Sequence, residues 1–216
     1  MVVSVNIAAT AQLGVGKNPE PTGIGKESTA DPVWVAAPGP KGVGGSGLSG
    51  DVICDLHFHG GDDQAVYAYA REDLDWWAAE LGRELPGGMF GENLTTQGLD
   101  LTGALVGERW RVGSQLVLEV SCPRVPCMTF AGKVGEAHWI KRFTEHGATG
   151  AYLRVLEPGE VREGDRIEVI DRPQHLVTMG FYFRALMSDR RNFAQLVSPA
   201  GAALPLEVRE LLAQDA

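Results

Sequence analysis

Apolar residues recur with a two-residue period in many short stretches of this chain, and with the helical period in a few others. The stretches 2–8, 33–36, 106–112, 116–120, 152–156 and 167–170 read as short strands separated by glycine-rich turns. So many short strands suggest a barrel or a sandwich. Two helices interrupt the series. From Gln64 to Leu81, the residues Val66, Ala70, Leu74, Trp77, Ala78 and Leu81 fall on one face at helical spacing, with Asp62 or Asp63 placed to cap the start. From Glu136 to His146, Ile140 and Phe143 share a face and Gly147 supplies a stop. After Pro173 the pattern changes to three short helices, 181–187, 192–197 and 206–212, with Pro199, Gly201 and Pro205 between the last two. The expected fold is mainly β with flanking helices (α+β). Residues 1–172 form a β-rich domain and residues 173–216 a small three-helix domain. Helices this short need packing against each other or a core.

Composition narrows the class. With 44% hydrophobic and 22% charged residues the chain reads as an ordinary soluble protein. No apolar run approaches the roughly 20 residues that span a bilayer. The first residues lack the basic region of a signal peptide. Three cysteines, an odd count, argue against a disulfide framework and fit a reducing cytoplasm. A net charge of −9 disfavours nucleic acid or anionic membranes as partners. Beyond Pro173 four arginines balance four carboxylates, so the excess negative charge lies in the first 172 residues.

Candidate chemistry concentrates in three places. The alternating run Leu116, Leu118, Val120 reads as a half-buried strand, which Pro123 and Pro126 end because neither can donate to a ladder. Cys127 is thereby held at a rigid strand exit beside Arg124, whose guanidinium favours the thiolate, the form that attacks electrophiles and binds soft metals. A small buried apolar cysteine is the plain alternative. The second place is 51–63, with His57, His59 and four carboxylates. A metal held by these side chains fits no zinc spacing. His59-Gly60-Gly61 before a helix offers an anion or oxyanion site, and a tight turn is the competing reading. The third is Phe90-Gly91-Glu92-Asn93-Leu94, where Gly91 permits a turn, Asn93 both donates and accepts, and Glu92 suits a proton carrier, an orienting group or a surface carboxylate. The glycine-rich stretch 39–50 could cradle phosphate but lacks the Gly-Lys-Ser/Thr ending of a nucleotide loop, and a mobile linker or lid is the stronger reading.

The order His59-Gly60-Gly61, Gly91-Glu92-Asn93-Leu94, Pro123-Arg124-Val125-Pro126-Cys127 and Gly150-Ala151-Tyr152-Leu153-Arg154-Val155 resembles the MOSC family, the domains related to the C-terminal part of molybdenum cofactor sulfurases. Gly50-Asp51, Asp55 and the tail from Phe183-Arg184-Ala185-Leu186 resemble its YiiM-type branch, which appends three helices. The resemblance covers nearly the whole chain. It implies a β-barrel with flanking helices and a molybdenum cofactor, a pterin whose dithiolene holds the metal. It implies that Cys127 is a molybdenum ligand or a sulfur carrier. It further implies that Arg124 and Asn93 hold the pterin, and that His59, Gly60 and Gly61 line the cleft. Glu92 stands where amidoxime-reducing relatives carry arginine, which weakens it as a cofactor anchor. Cys122 reads as a buried structural thiol, and no role falls to Cys54, His138, His146 or His175. Three functions follow from the resemblance. The first is a reductase of small N-hydroxylated compounds fed by a separate electron-donor reductase. The second is a sulfur carrier bearing a persulfide on Cys127, charged by a cysteine desulfurase. The third is a non-enzymatic cofactor-binding module.

Overall fold

A computed structural model describes residues 1–15 and 19–214. In chain order the first strands are β1 (Val2–Ile7), β2 (Gln12–Leu13), β3 (Pro21–Thr22), β4 (Glu27–Thr29), β5 (Val33–Val35) and β6 (Val66–Ala70), followed by helix α1 (Arg71–Leu81). Next come β7 (Leu94–Thr96), β8 (Arg109–Val112), β9 (Leu116–Cys122), helices α2 (Met128–Val134) and α3 (Trp139–His146), and strands β10 (Ala151–Glu157), β11 (Gly159–Val161) and β12 (Ile167–Asp171). Helices α4 (Met179–Ser188), α5 (Phe193–Val197) and α6 (Leu206–Gln214) complete the chain.

Eight strands form one mixed sheet in the order β12-β8-β9-β10-β6-β7-β1-β4, in which β6 and β7 alone run parallel among the described pairs. β5 pairs with β11 and β2 with β3 in two small sheets. The Val2 N–H donates to the Asp165 carbonyl at 2.8 Å and the Gly164 N–H to Val2 at 3.0 Å, so the sheet curls back on itself. Among the described residues no ladder closes it, so the architecture is a curled mixed sheet with flanking helices and the expected closed barrel is not established.

The segment expected as one helix from Gln64 to Leu81 is a strand followed by a helix. All five residues of β6 are buried. Val66, Ala68 and Ala70 enter the main apolar core, while Tyr67 and Tyr69 enter a second core with Trp77, Phe90, Phe130, Trp139 and Phe143. A strand covered on both faces loses its polar alternation, and small alanines then mimic a helical stripe. Asp62 and Asp63 cap nothing in α1, whose preceding residue Ala70 makes no side-chain cap. They lie in a short 3₁₀ turn, and their carboxylates are used elsewhere. The second expected helix is shorter at its start: α3 begins at Trp139 after His138, which holds a left-handed φ of 56°. β9 is buried at all seven positions rather than half-buried: Leu116, Leu118, Val120 and Cys122 enter the main core, while Glu119 pairs with Arg109 and Arg154.

The C-terminal helices match their expected positions within a few residues. Thr178 caps α4 by accepting the Phe181 N–H at 3.0 Å. Met179, Tyr182, Ala185, Phe193, Val197, Leu204 and Val208 pack into the same apolar core as the sheet. Backbone bonds join the two parts as well, from Val106 N–H to Val177 at 3.0 Å and from Met179 N–H to Ala104 at 2.9 Å.

Candidate active site

Cys127 follows the end of β9 by five residues and sits at the N-terminal boundary of α2. The two prolines end the ladder as their chemistry requires. The thiol is half-buried and lines a cavity of about 400 Å³. Burial alone would push it up. The neighbouring His59 imidazole and the Arg124 charge outweigh burial and bring it down to about 6.

His59 lines the same cavity from a compact turn. Asp55 organises that turn by accepting the His57 N–H on its carboxylate at 3.1 Å and the His59 N–H on its carbonyl at 3.0 Å. The two histidines therefore do not alternate as on a strand. His57 is exposed and packs edge-on against Phe58. Gly60 has φ 79°, and a Cβ there would come within 2.7 Å of the Gly45 carbonyl, so only glycine fits. The stretch 39–50 is wired into this turn instead of hanging free. Gly42 N–H donates to Leu56 at 3.1 Å, Gly61 N–H to Gly45 at 3.1 Å and Gly47 N–H to Ala65 at 2.7 Å.

Arg124 is only 5% exposed. Its guanidinium carbon lies 3.9 Å from the Phe130 ring centroid and 5.1 Å from that of Tyr67. It also donates to the Phe90 carbonyl. These contacts fix one face of the cation and leave it directed at the cavity that Cys127 shares. A second cation, Lys26, lines the same cavity and pairs with Asp51 at 2.5 Å, with side chains 7% and 0% exposed. Burial lowers the Lys26 ammonium, and Asp51 opposes that shift. Asp51 also accepts the Asn93 amide at 2.9 Å and the Ala8 N–H at 2.8 Å. Asn93 in turn accepts the Tyr67 N–H at 3.1 Å, which ties the pair to β6.

Of the residues singled out in the sequence, His59, Gly60, Asn93, Arg124 and Cys127 line one cavity. Gly61 and Glu92 do not. Gly61 backs the turn, where a Cβ would meet the Lys41 backbone at 2.7 Å. Glu92 is fully buried and accepts from Gly88 N–H at 2.7 Å, Phe90 N–H at 3.0 Å and Thr95 Oγ1 at 3.0 Å, so it shapes the turn that carries Phe90. Sequence reasoning missed Lys26, Tyr67 and Tyr152. Nothing local marks Lys26, whose partner is 25 residues away. Tyr67 and Tyr152 were hidden inside expected secondary structure. Their rings lie 4.9 Å apart beside Arg124. The Tyr67 hydroxyl is spent on the Thr149 carbonyl at 2.8 Å. Burial pushes Tyr152 up to about 12, which keeps its phenol protonated. Among the described residues no group of three or more His, Cys, Asp or Glu side chains could hold a metal ion.

Fold and site together define a mixed α+β protein with one activated thiol in a cation-lined cavity. The chain belongs to the MOSC domain family: the MOSC domain model matches residues 55–168, and the relatives fit its YiiM-type branch. The protein is 36% identical over 149 residues to the Bacillus subtilis protein YflK, which is described as uncharacterized, covering 69% of this chain and 67% of YflK. It is 32% identical over 129 residues to Protein YiiM of Escherichia coli, covering 58% of this chain and 57% of YiiM. A Gibberella moniliformis protein named a reductase matches over 138 residues at 32% identity, covering 62% of this chain and 24% of the fungal one. The chain thus spans about two-thirds or less of these relatives. The crystal structure of YiiM from Geobacillus stearothermophilus shares the fold, with a TM-score of 0.76 at 24% identity, covering 99% of this chain and 97% of that one. No helix among the described residues is long and apolar enough to cross a membrane.

Proposed function

We propose that this protein binds the molybdenum cofactor through Cys127 and reduces N-hydroxylated compounds with electrons from a separate protein. The observation that carries the reading is a thiol brought down to about 6 inside a cavity that also holds two buried cations. The residues suit the group. One soft thiolate matches a metal that brings sulfur ligands of its own, and Lys26 and Arg124 match an anionic pterin phosphate. When bound, the cofactor supplies two-electron chemistry at a metal that accepts oxygen. His59 and Arg124 keep Cys127 deprotonated and ready to coordinate. Lys26, fixed by Asp51 and Asn93, holds positive charge in the cavity. Tyr152 keeps a donor there throughout the neutral range. In the overall reaction the N–O bond breaks, two electrons and two protons are taken up, and the oxygen leaves as water.

The test is protein made in a host that synthesises the cofactor, assayed with an N-hydroxylated base and a chemical reductant. The unmodified protein should retain molybdenum, and Cys127→Ala should lose it together with at least about 100-fold in rate. Reduction persisting in molybdenum-free protein overturns the reading. One feature supports a second reading. A thiol that is anionic at neutral pH and opens on a cavity also suits a sulfur carrier served by a cysteine desulfurase. In that case mass spectrometry of freshly isolated protein finds a one-sulfur adduct on Cys127.

A further inference from the structure

The C-terminal helices touch the loop that carries His59 at one defined point. The Asp63 carboxylate, four residues after His59, accepts the Leu206 N–H at the start of α6 at 2.9 Å on one oxygen. Its other oxygen accepts Arg154 Nε at 2.5 Å. Arg154 donates in addition to Glu119 on β9 at 3.0 Å and to the Ala203 carbonyl just before α6 at 2.8 Å. One guanidinium thus joins the loop, the tail and the strand that leads to Cys127. Two further contacts brace the same loop. Asp62 accepts the Gly39 N–H at 2.9 Å, and Lys41 pairs with Glu207 of α6 at 3.0 Å. Between Asp63 and His59 lie Gly60 and Gly61, each packed against neighbouring backbone with no space for a side chain. A shift of Asp63 therefore has little slack to absorb it before reaching the imidazole.

We propose that Asp63 is a positioning residue that fastens the C-terminal helical segment to the His59 loop and so holds His59 in the cavity it shares with Cys127. This gives the three helices a part in the reactive centre that they do not touch. The inference rests on Cys127 being the reactive thiol and on nothing about the metal.

The test measures alkylation of Cys127 by iodoacetamide at pH 7 in the full chain, resolved by peptide mass spectrometry, with amide exchange over residues 55–61 and melting recorded in parallel. Asp63→Asn keeps shape but cannot serve both donors as an anion. Leu206→Pro removes the tail's N–H at a first helical position, where proline is tolerated, and leaves the loop's own sequence intact. Each variant should slow Cys127 alkylation about fivefold and speed exchange over 55–61. In a His59→Ala background Asp63→Asn should add no further slowing, because both act through one imidazole. Unchanged alkylation in either folded variant, even with lowered melting, overturns the proposal, as does full additivity with His59→Ala. If Asp63→Asn does not fold, Leu206→Pro decides. The protein for this test is made in a host that does not synthesise the cofactor, so the thiol is free and a failure of the latch and a failure of the cofactor assignment are separate results.

Discussion

Cys122 and Cys127 lie five residues apart, at the end of one strand and the start of the next helix, and their thiols are driven in opposite directions. Cys122 is 8% exposed and burial pushes it up to about 11. Cys127 is also penalised by burial, yet it comes down to about 6 because His59 and Arg124 face it. Sequence distance between the two is trivial, so the contrast isolates the cause. Desolvation sets the direction by default, and only partners placed by tertiary structure reverse it. Those partners come from the loop before β6 and from the strand exit itself. The proline-bound segment 123–127 is what turns one cysteine into the core and the other towards the cavity.

The comparison can be broken at its charge. Arg124→Ala should remove part of the difference: Cys127 alkylation at pH 6.5 should slow about threefold, with about 3 kcal/mol of stability lost from the unfilled site and the unpaired Phe90 carbonyl. Retained reactivity would mean that His59 suffices. Glu92→Gln tests the neighbouring turn without touching either thiol. The amide turns an N–H towards backbone donors, so melting should fall by about 1–2 kcal/mol while Cys127 reactivity stays the same. Loss of reactivity there would move Glu92 into the site. A pH series sharpens the contrast further. A lowered pKa means that the reactive anion prevails above about 6 and is lost as pH falls through that value. Alkylation of Cys127 should be half-maximal near pH 6, and Cys122 should stay unlabelled until the protein unfolds. The smallest effect belongs to the exposed Cys54, where Cys54→Ser should change stability by no more than about 0.5 kcal/mol.

These residues also mark how far the sequence could be read. The strand ending at the prolines, the three C-terminal helices and five cavity residues were legible, because each is written in a local run of a few residues. The β6 strand was not, since Val66 to Ala70 is buried on both sides and its alternation divides two apolar cores instead of apolar from polar. Lys26 was not, because nothing near it in sequence announces Asp51. Asp63 was read as a cap for the wrong helix. Its acidity and place before an apolar run are correct for a cap, but the N–H it accepts lies 143 residues onward. What escaped is in each case a long-range pairing for which short-range composition has a plausible local use.

One strand gives the assembly its timing. In the sheet order, β12, β8 and β9 stand on one side of β10, and β6, β7, β1 and β4 on the other. Among the described residues the Val2 bonds to Gly164 and Asp165 also join the halves, and those two residues are made after β10. On the ribosome, a chain that has reached Cys127 but not residue 151 holds the β8–β9 pair apart from β6, β7, β1 and β4, and Tyr152 is not yet present to face Arg124. The thiol and both groups that lower it, His59 and Arg124, are synthesised before the strand that joins the two parts of the sheet. Emergence of β10 is the step that brings the strand leading to Arg124 and Cys127 alongside β6 and the His59 loop before it, and truncation before it should release a chain whose Cys127 behaves as any ordinary thiol.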